Sequence, residues 1–184
     1  MAQARFPALT REQMTPEQQA AADAMQAGHG SLRGPAQAWL RSPEFAGRAQ
    51  RLGEYLRFQS AVPRRLNELA ILTTARHWNA KYEWYAHYAL ALQAGLAPGI
   101  AADIAARRRP EAMADDEAAV YDFCTELRAD RRVSELTFAR ATAALGPQGV
   151  IDLIGVLGYY DMVSMTLNLA EVATPPDGAL PLPD

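Results

Sequence analysis

Asn79-Ala80-Lys81-Tyr82-Glu83-Trp84-Tyr85-Ala86-His87 is the stretch on which the reading of this chain turns. It places a carboxylate and an imidazole four residues apart in a segment dense with aromatic side chains. A second carboxylate, Glu68, lies upstream in Arg64-Arg65-Leu66-Asn67-Glu68-Leu69-Ala70-Ile71-Leu72. If both segments are helical, Glu83 and His87 project from one face, because helical neighbours recur at i and i+4. Two acids and one histidine in an otherwise apolar helical setting are the parts of a proton-transfer site. They form the polar cluster of this sequence that a structural role explains least well.

Working outward, the chain is punctuated for helices almost throughout. Thr15-Pro16-Glu17-Gln18 offers an N-cap, a proline at the first helical position and a capping-box glutamine. That helix is expected to run to Gln26 or Ala27 and stop at Gly28, leaving His29 in a loop. Ser42-Pro43-Glu44 repeats the start signal, and the helix after it carries Phe45, Leu52, Tyr55, Leu56 and Phe58, interrupted by Gly53. Pro63 opens the next helix. Asn79 marks a break before the Glu83 helix, or the helix continues through it. Gly95 reads as a C′ glycine.

Pro98 begins a short helix running towards Arg107-Arg108-Arg109, a triplet that reads as a solvated helix end. Asp115-Asp116-Glu117 supplies acids for a first turn, with Val120, Phe123, Cys124 and Leu127 facing inward. Ser134 caps a helix that stops at Gly146. Pro147 opens the last helix, which passes through Ile151, Ile154, Leu157, Met162 and Met165 to about Val172. Val150 to Leu157 is apolar on nearly all sides, which suggests burial in a bundle or against another subunit.

The pattern predicts one all-α domain over 15–173, an N-terminal extension over 1–14 and a Pro-rich tail over 174–184 that is extended or disordered. There is no strand alternation, no repeat at a solenoid period and no linker.

With 184 residues, 49% of them apolar and 21% charged, the composition is that of one soluble globular domain. A formal net charge of −3 leaves no basic excess to neutralise phosphates, so nucleic acid is not an expected partner. No apolar run approaches the roughly 20 residues of a spanning helix, so no membrane role is expected. No leader-like apolar segment opens the chain. The single cysteine, Cys124, offers neither a disulfide nor a thiol pair within one chain. A cytoplasmic location is expected.

The candidate residues carry structural alternatives. Glu68 is either exposed near its helix start or buried with a partner. His87 is either a hydrogen-bonded core histidine or a residue of near-neutral pKa used in catalysis. Glu83 either orients the imidazole or forms a plain i,i+4 pair with it. Arg76 and His77 close a helix and either bond terminal carbonyls or contact substrate. Glu83, His87 and Glu68 are spaced as helical metal ligands, but no second histidine or cysteine joins them, and no metal is expected. No phosphate loop, nucleophile elbow or nucleotide fingerprint is present.

On these residues the segment from about Pro63 to Gly95 resembles the core motif of the carboxymuconolactone decarboxylase family, which includes the AhpD-like alkylhydroperoxidases. The family pattern is a glutamate, a pair of positions three apart, and a histidine four residues on. Glu68, Ala80, Glu83 and His87 match that spacing. In the peroxidase branch the pair is a Cys-x-x-Cys dithiol served by the glutamate and histidine as a proton relay. Ala80 and Glu83 stand in those places here. The resemblance extends from the Trp39-Leu40 region to Val172 and is most specific in its central thirty residues.

The resemblance implies an AhpD-like helical bundle assembled as a trimer or hexamer. It implies a cofactor-free carboxy-lyase acting on a small carboxylated lactone such as 4-carboxymuconolactone, in aromatic compound breakdown. His87, Glu83 and Glu68 are then the expected catalytic residues, with Arg76, His77, Trp84 and Tyr160 expected to bind substrate. Two glutamates would repel an anionic substrate unless one is protonated or paired. A thiol-dependent antioxidant protein and a non-catalytic ligand-binding oligomer are the competing readings.

Overall fold

A computed structural model of the chain describes residues 5–29, 32–175 and 182–183. After a 3-10 turn at Arg11–Gln13 come α1 (Pro16–His29), α2 (Ala36–Trp39), α3 (Pro43–Phe58), α4 (Arg64–His77), α5 (Lys81–Gln93), α6 (Pro98–Ala105), α7 (Asp115–Asp130) and α8 (Glu135–Ala170). No strand occurs among the described residues.

The local signals act as the sequence suggests at several ends. Gln18 N donates to Thr15 Oγ1 at 3.3 Å while Thr15 N donates to Gln18 Oε1 at 2.9 Å, a reciprocal capping box at the start of α1. Ser134 Oγ accepts from Thr137 N at the start of α8. Helix α1 runs through His29 rather than stopping at Gly28; the His29 side chain lies outside the described residues. The short α2, absent from the sequence-based expectation, has no start signal beyond Pro35.

The bundle is organised around α4. Every residue from Leu66 to Arg76 is buried, because α4 packs against α3, α5, α6, α7 and α8 at once. A helix enclosed on all sides has no single apolar stripe. That is why Asn67, Glu68, Thr73, Thr74 and Arg76 are buried with the leucines. Thr73 and Thr74 resolve their hydroxyls locally by donating to the carbonyls of Leu69 and Ala70.

Asn79 does break the chain. Its φ of +50° is left-handed, a conformation asparagine tolerates better than most residues. Asn79 N donates to Arg76 O at 3.2 Å and Ala80 N to Ala75 O at 2.8 Å. This pair closes α4 as a Schellman motif with Asn79 in the place usually held by glycine. The turn delivers Ala80, fully buried, as the residue before α5. Gly95, at φ +96°, ends α5 by the same device.

Within the span α8, two helical stretches meet at Gly146, whose φ of +69° and ψ of +170° are non-helical, with Pro147 following. The expected stop at Gly146 and restart at Pro147 is seen in the backbone, the two stretches abutting without a connecting loop. By length and composition α8 is apolar enough to cross a bilayer, contrary to the sequence-based count, although more than half of that apolar window is buried inside the bundle. Its other side is exposed at Ile151, Ile154, Met165 and Leu169. On α3, Phe45, Leu52 and Phe58 are likewise exposed rather than inward.

The C-terminal end is not wholly extended into solvent. Leu182 is buried in the core, and the Pro183 carbonyl accepts from Arg76 Nη1 at 2.8 Å. The rest of the expected tail, 176–181 and 184, lies outside the described residues.

Candidate functional site

Glu68 is positioned by the second turn of α4, and Glu83 and His87 by successive turns of α5. Glu83 lies in the first turn of its helix, where the helix dipole favours a carboxylate. The two helices pack side by side, and their polar side chains meet in one row. His87 Nδ1 lies 2.8 Å from Glu68 Oε2, and His87 Nε2 lies 3.1 Å from Glu83 Oε1. All three residues are buried, at 5%, 4% and 6% exposure for Glu68, Glu83 and His87.

This geometry answers the electrostatic objection raised by two neighbouring acids. Burial alone would push the His87 imidazolium to a lower pKa. That effect is outweighed by the Glu83 charge, by hydrogen bonds to Glu68 and Glu83 and by the Glu68 charge, which together raise His87 from 6.5 to about 9. At neutral pH the imidazolium is the cation that pairs both carboxylates. Each ring N–H donates to one of them.

The row borders a cavity of about 420 Å³, a volume suited to a small organic molecule. Glu83 and His87 line it; Glu68 stands behind His87 and does not. Trp39, Phe58 and Val163 supply apolar walls, Tyr159 and Tyr160 stand together on one side, and Arg33, Gln50 and Arg57 contribute polar groups. Trp39 is fixed by its indole N–H, which donates to Thr166 Oγ1 at 3.0 Å. Tyr160 meets the His87 ring edge to face with centroids 5.1 Å apart, and Tyr159 meets Tyr160 at 5.2 Å. Burial raises both phenols, Tyr159 to about 12 and Tyr160 well above its usual range, so both are protonated donors.

The other expected binding residues are elsewhere. Arg76 is buried and bonded to Asn79 Oδ1 and the Pro183 carbonyl. His77 stands at the exposed end of α4, packed edge-on to Trp78. Trp84 is a core residue stacked on Tyr88. None of the three lines the cavity. Conversely, sequence reading missed Arg57, Tyr159, Arg33 and Gln50. A signal for part of this was present: Gln50, Gly53 and Arg57 recur at i, i+3 and i+7 on α3.

Cys124 is fully buried on α7, and burial pushes its thiol up to about 12. It does not line the cavity. Among the described residues no group of three or more His, Cys, Asp and Glu side chains is arranged to hold a metal ion. In the acid–imidazole–acid row both ring nitrogens face carboxylates, so the three side chains do not converge on a shared point.

Two solved structures share this architecture. One is the alkylhydroperoxidase AhpD core of an uncharacterized peroxidase-related protein from Ralstonia eutropha JMP134, with a TM-score of 0.77, 14% identity, and coverage of 95% of this chain and 93% of that chain. The other is an uncharacterized peroxidase-related protein from Silicibacter sp. TM1040, with a TM-score of 0.74, 14% identity, and coverage of 95% and 92%. The chain therefore has the AhpD-like fold. No protein-family model matches it, and no curated protein matches it.

Proposed function

We propose that this protein is an acid–base enzyme acting on a small organic acid, a carboxy-lyase resembling 4-carboxymuconolactone decarboxylase, in which Glu83 meets the substrate and His87 and Glu68 supply its proton. The observation that carries this reading is the row Glu68–His87–Glu83 ending at a cavity. A core network that served only packing would have no need of an opening at one end.

Relative to the sequence-based assignment, the roles shift. Both nitrogens of His87 are occupied by carboxylates, so the imidazolium is a proton store and Glu83 is the group that presents the proton. In the proposed reaction a substrate carboxylate leaves as carbon dioxide. Its bonding electrons pass into a conjugated lactone carbonyl and give a dienolate. A proton moves from His87 Nε2 to Glu83 and on to the substrate carbon, and His87 is reprotonated from solvent. One proton is consumed for each carbon dioxide released.

The thiol-dependent reading gains no support from Cys124. A nucleophilic thiol is normally accessible and of lowered pKa, and this one is buried with a raised pKa. Screening the purified chain against carboxylated lactones, with carbon dioxide release as the readout, tests the proposal. Turnover abolished by Glu83→Gln with the fold intact is expected. Equal turnover in that variant removes Glu83 from the chemistry and the proposal with it.

A further inference from the structure

We infer that Arg57, Tyr159 and Tyr160 form an oxyanion subsite in the cavity that Glu83 lines, which holds a substrate carboxylate as an anchor and leaves the reacting carbon to Glu83. This deepens the function proposed above and rests on it for the direction of the chemistry; the binding itself can be tested without turnover.

Three observations converge. First, Arg57 lines the cavity, half-buried, with its guanidinium carbon 5.0 Å from the centre of the Phe58 ring. It makes no ion pair with any described residue, whereas Arg65, Arg109, Arg128 and Arg140 each have a carboxylate partner. Second, Tyr159 and Tyr160 are about nine-tenths buried or more and line the same cavity, yet neither hydroxyl makes a hydrogen bond to any described residue. Both tyrosines border space that a ligand can fill. Third, Gly53 lies one turn before Arg57 on α3. A Cβ there would stand 2.2 Å from Tyr159 Oη, so the missing side chain is what lets the phenol lie against the turn of α3 that leads to Arg57.

The charge layout gives the subsite its direction. Burial raises both phenols; beyond that, Glu83 raises them and Arg57 lowers them. The tyrosine pair thus feels the negative row and the guanidinium at once. An anion entering the cavity is attracted to Arg57, with exposed Arg33 adding positive charge at the same lining. Trp39, Phe58 and Val163 offer apolar contact to a ring between the two ends. A carboxylate gripped by a guanidinium and two phenols is stabilised as the anion, which slows its loss. The anchored carboxylate is therefore a handle, and the substrate class is a ring or short chain bearing a second acidic group or a labile carbon at the Glu83 end.

Calorimetry of the full chain with benzoate, and with benzamide as its uncharged counterpart, tests this. Saturable benzoate binding is expected, weakened about tenfold or more in Arg57→Gln and about three- to tenfold in Tyr159→Phe. Binding should be unchanged in Arg64→Gln, an exposed arginine outside the cavity, and kept or tightened in Glu83→Gln, which removes a repelling charge. Arg57→Gln binding benzoate as the parent does, benzamide binding as tightly as benzoate, or no saturable benzoate binding would each overturn the subsite. None of these touches the proton row, which is read separately by titrating His87 by NMR towards pH 9.

Discussion

The Glu68–His87–Glu83 row and the Arg128–Asp161 pair both place charge among apolar helices, and they differ in what surrounds them. Arg128 Nη2 on α7 donates to Asp161 Oδ1 on α8 at 2.7 Å and to Thr74 Oγ1 on α4 at 3.0 Å. Trp78 Nε1 donates to the same Asp161 oxygen at 2.7 Å. One cation meets one anion there, and the cluster joins three helices without lining the cavity. In the row, two anions share one cation, and one end meets open space. A paired charge away from the cavity ties elements together. An unequal set of charges beside a cavity keeps a movable proton in reach of a ligand.

Several measurements sharpen or break that contrast. The largest effect belongs to Glu83→Gln, which should lower turnover on an organic acid by about 10²–10⁴-fold while the chain stays folded. Comparable turnover loss in Asp161→Asn would erase the distinction between the two clusters. Next comes His87→Leu, which leaves Glu68 and Glu83 buried without their cation. A loss of about 3–5 kcal/mol in urea unfolding is expected; a loss below about 1 kcal/mol would mean the row is already solvated.

The pH dependence of stability follows from the same pairing. The folded pKa of His87, about 9, lies above its ordinary 6.5. Its contribution is complete below pH 6.5 and is lost as pH rises towards 9, a change on the order of 3 kcal/mol. Urea titrations across that window should show the decline, and Glu83→Gln should shrink it. An unchanged decline in that variant would place its origin elsewhere.

Breaking the Arg128–Asp161 pair costs less. Asp161→Ala leaves Arg128 without its anion, but Asp161 is about a third exposed, so a loss of about 1–3 kcal/mol is expected with turnover unaltered. Smallest is Cys124→Ser, for which turnover should be unchanged; labelling of Cys124 by a thiol reagent should be slow until the chain is unfolded. Fast labelling of the native protein would show that the thiol is accessible after all.

How much of this could be read from the residues differs from place to place. The pairing of Glu83 with His87 is local, set by one helical turn, and was legible. So was the α1 capping box, because side-chain chemistry at a helix end acts within a few residues; at Asn79 a break and a continuous helix were both open, and the structure shows the break. The burial of Glu68 was not decidable, since a glutamate beside Leu66 and Leu69 fits an exposed turn as well as a buried one. Arg76 and His77 were plausible binding residues by position in the chain. They lie on parts of α4 that face the tail and solvent, however, and the cavity is bordered instead by α3, α5 and α8. On α8 the break at Gly146 and Pro147 was legible, whereas nothing in the apolar run showed that Tyr159 joins Tyr160 along the cavity.

The sequence by itself determined an all-helical chain, where most helices begin and end, and a carboxylate and an imidazole one turn apart, because these follow from propensities, caps and the 3.6-residue period. Only the tertiary structure decided that Glu68 reaches the far nitrogen of His87 from 19 residues away, that Glu83 rather than His87 ends the row, and that Arg57 faces the cavity while Arg76 does not. The reason is geometric. A helix buried on every side, as α4 is, carries no stripe that says which neighbour each side chain will meet, and that choice is made only when α3, α5, α7 and α8 close around it.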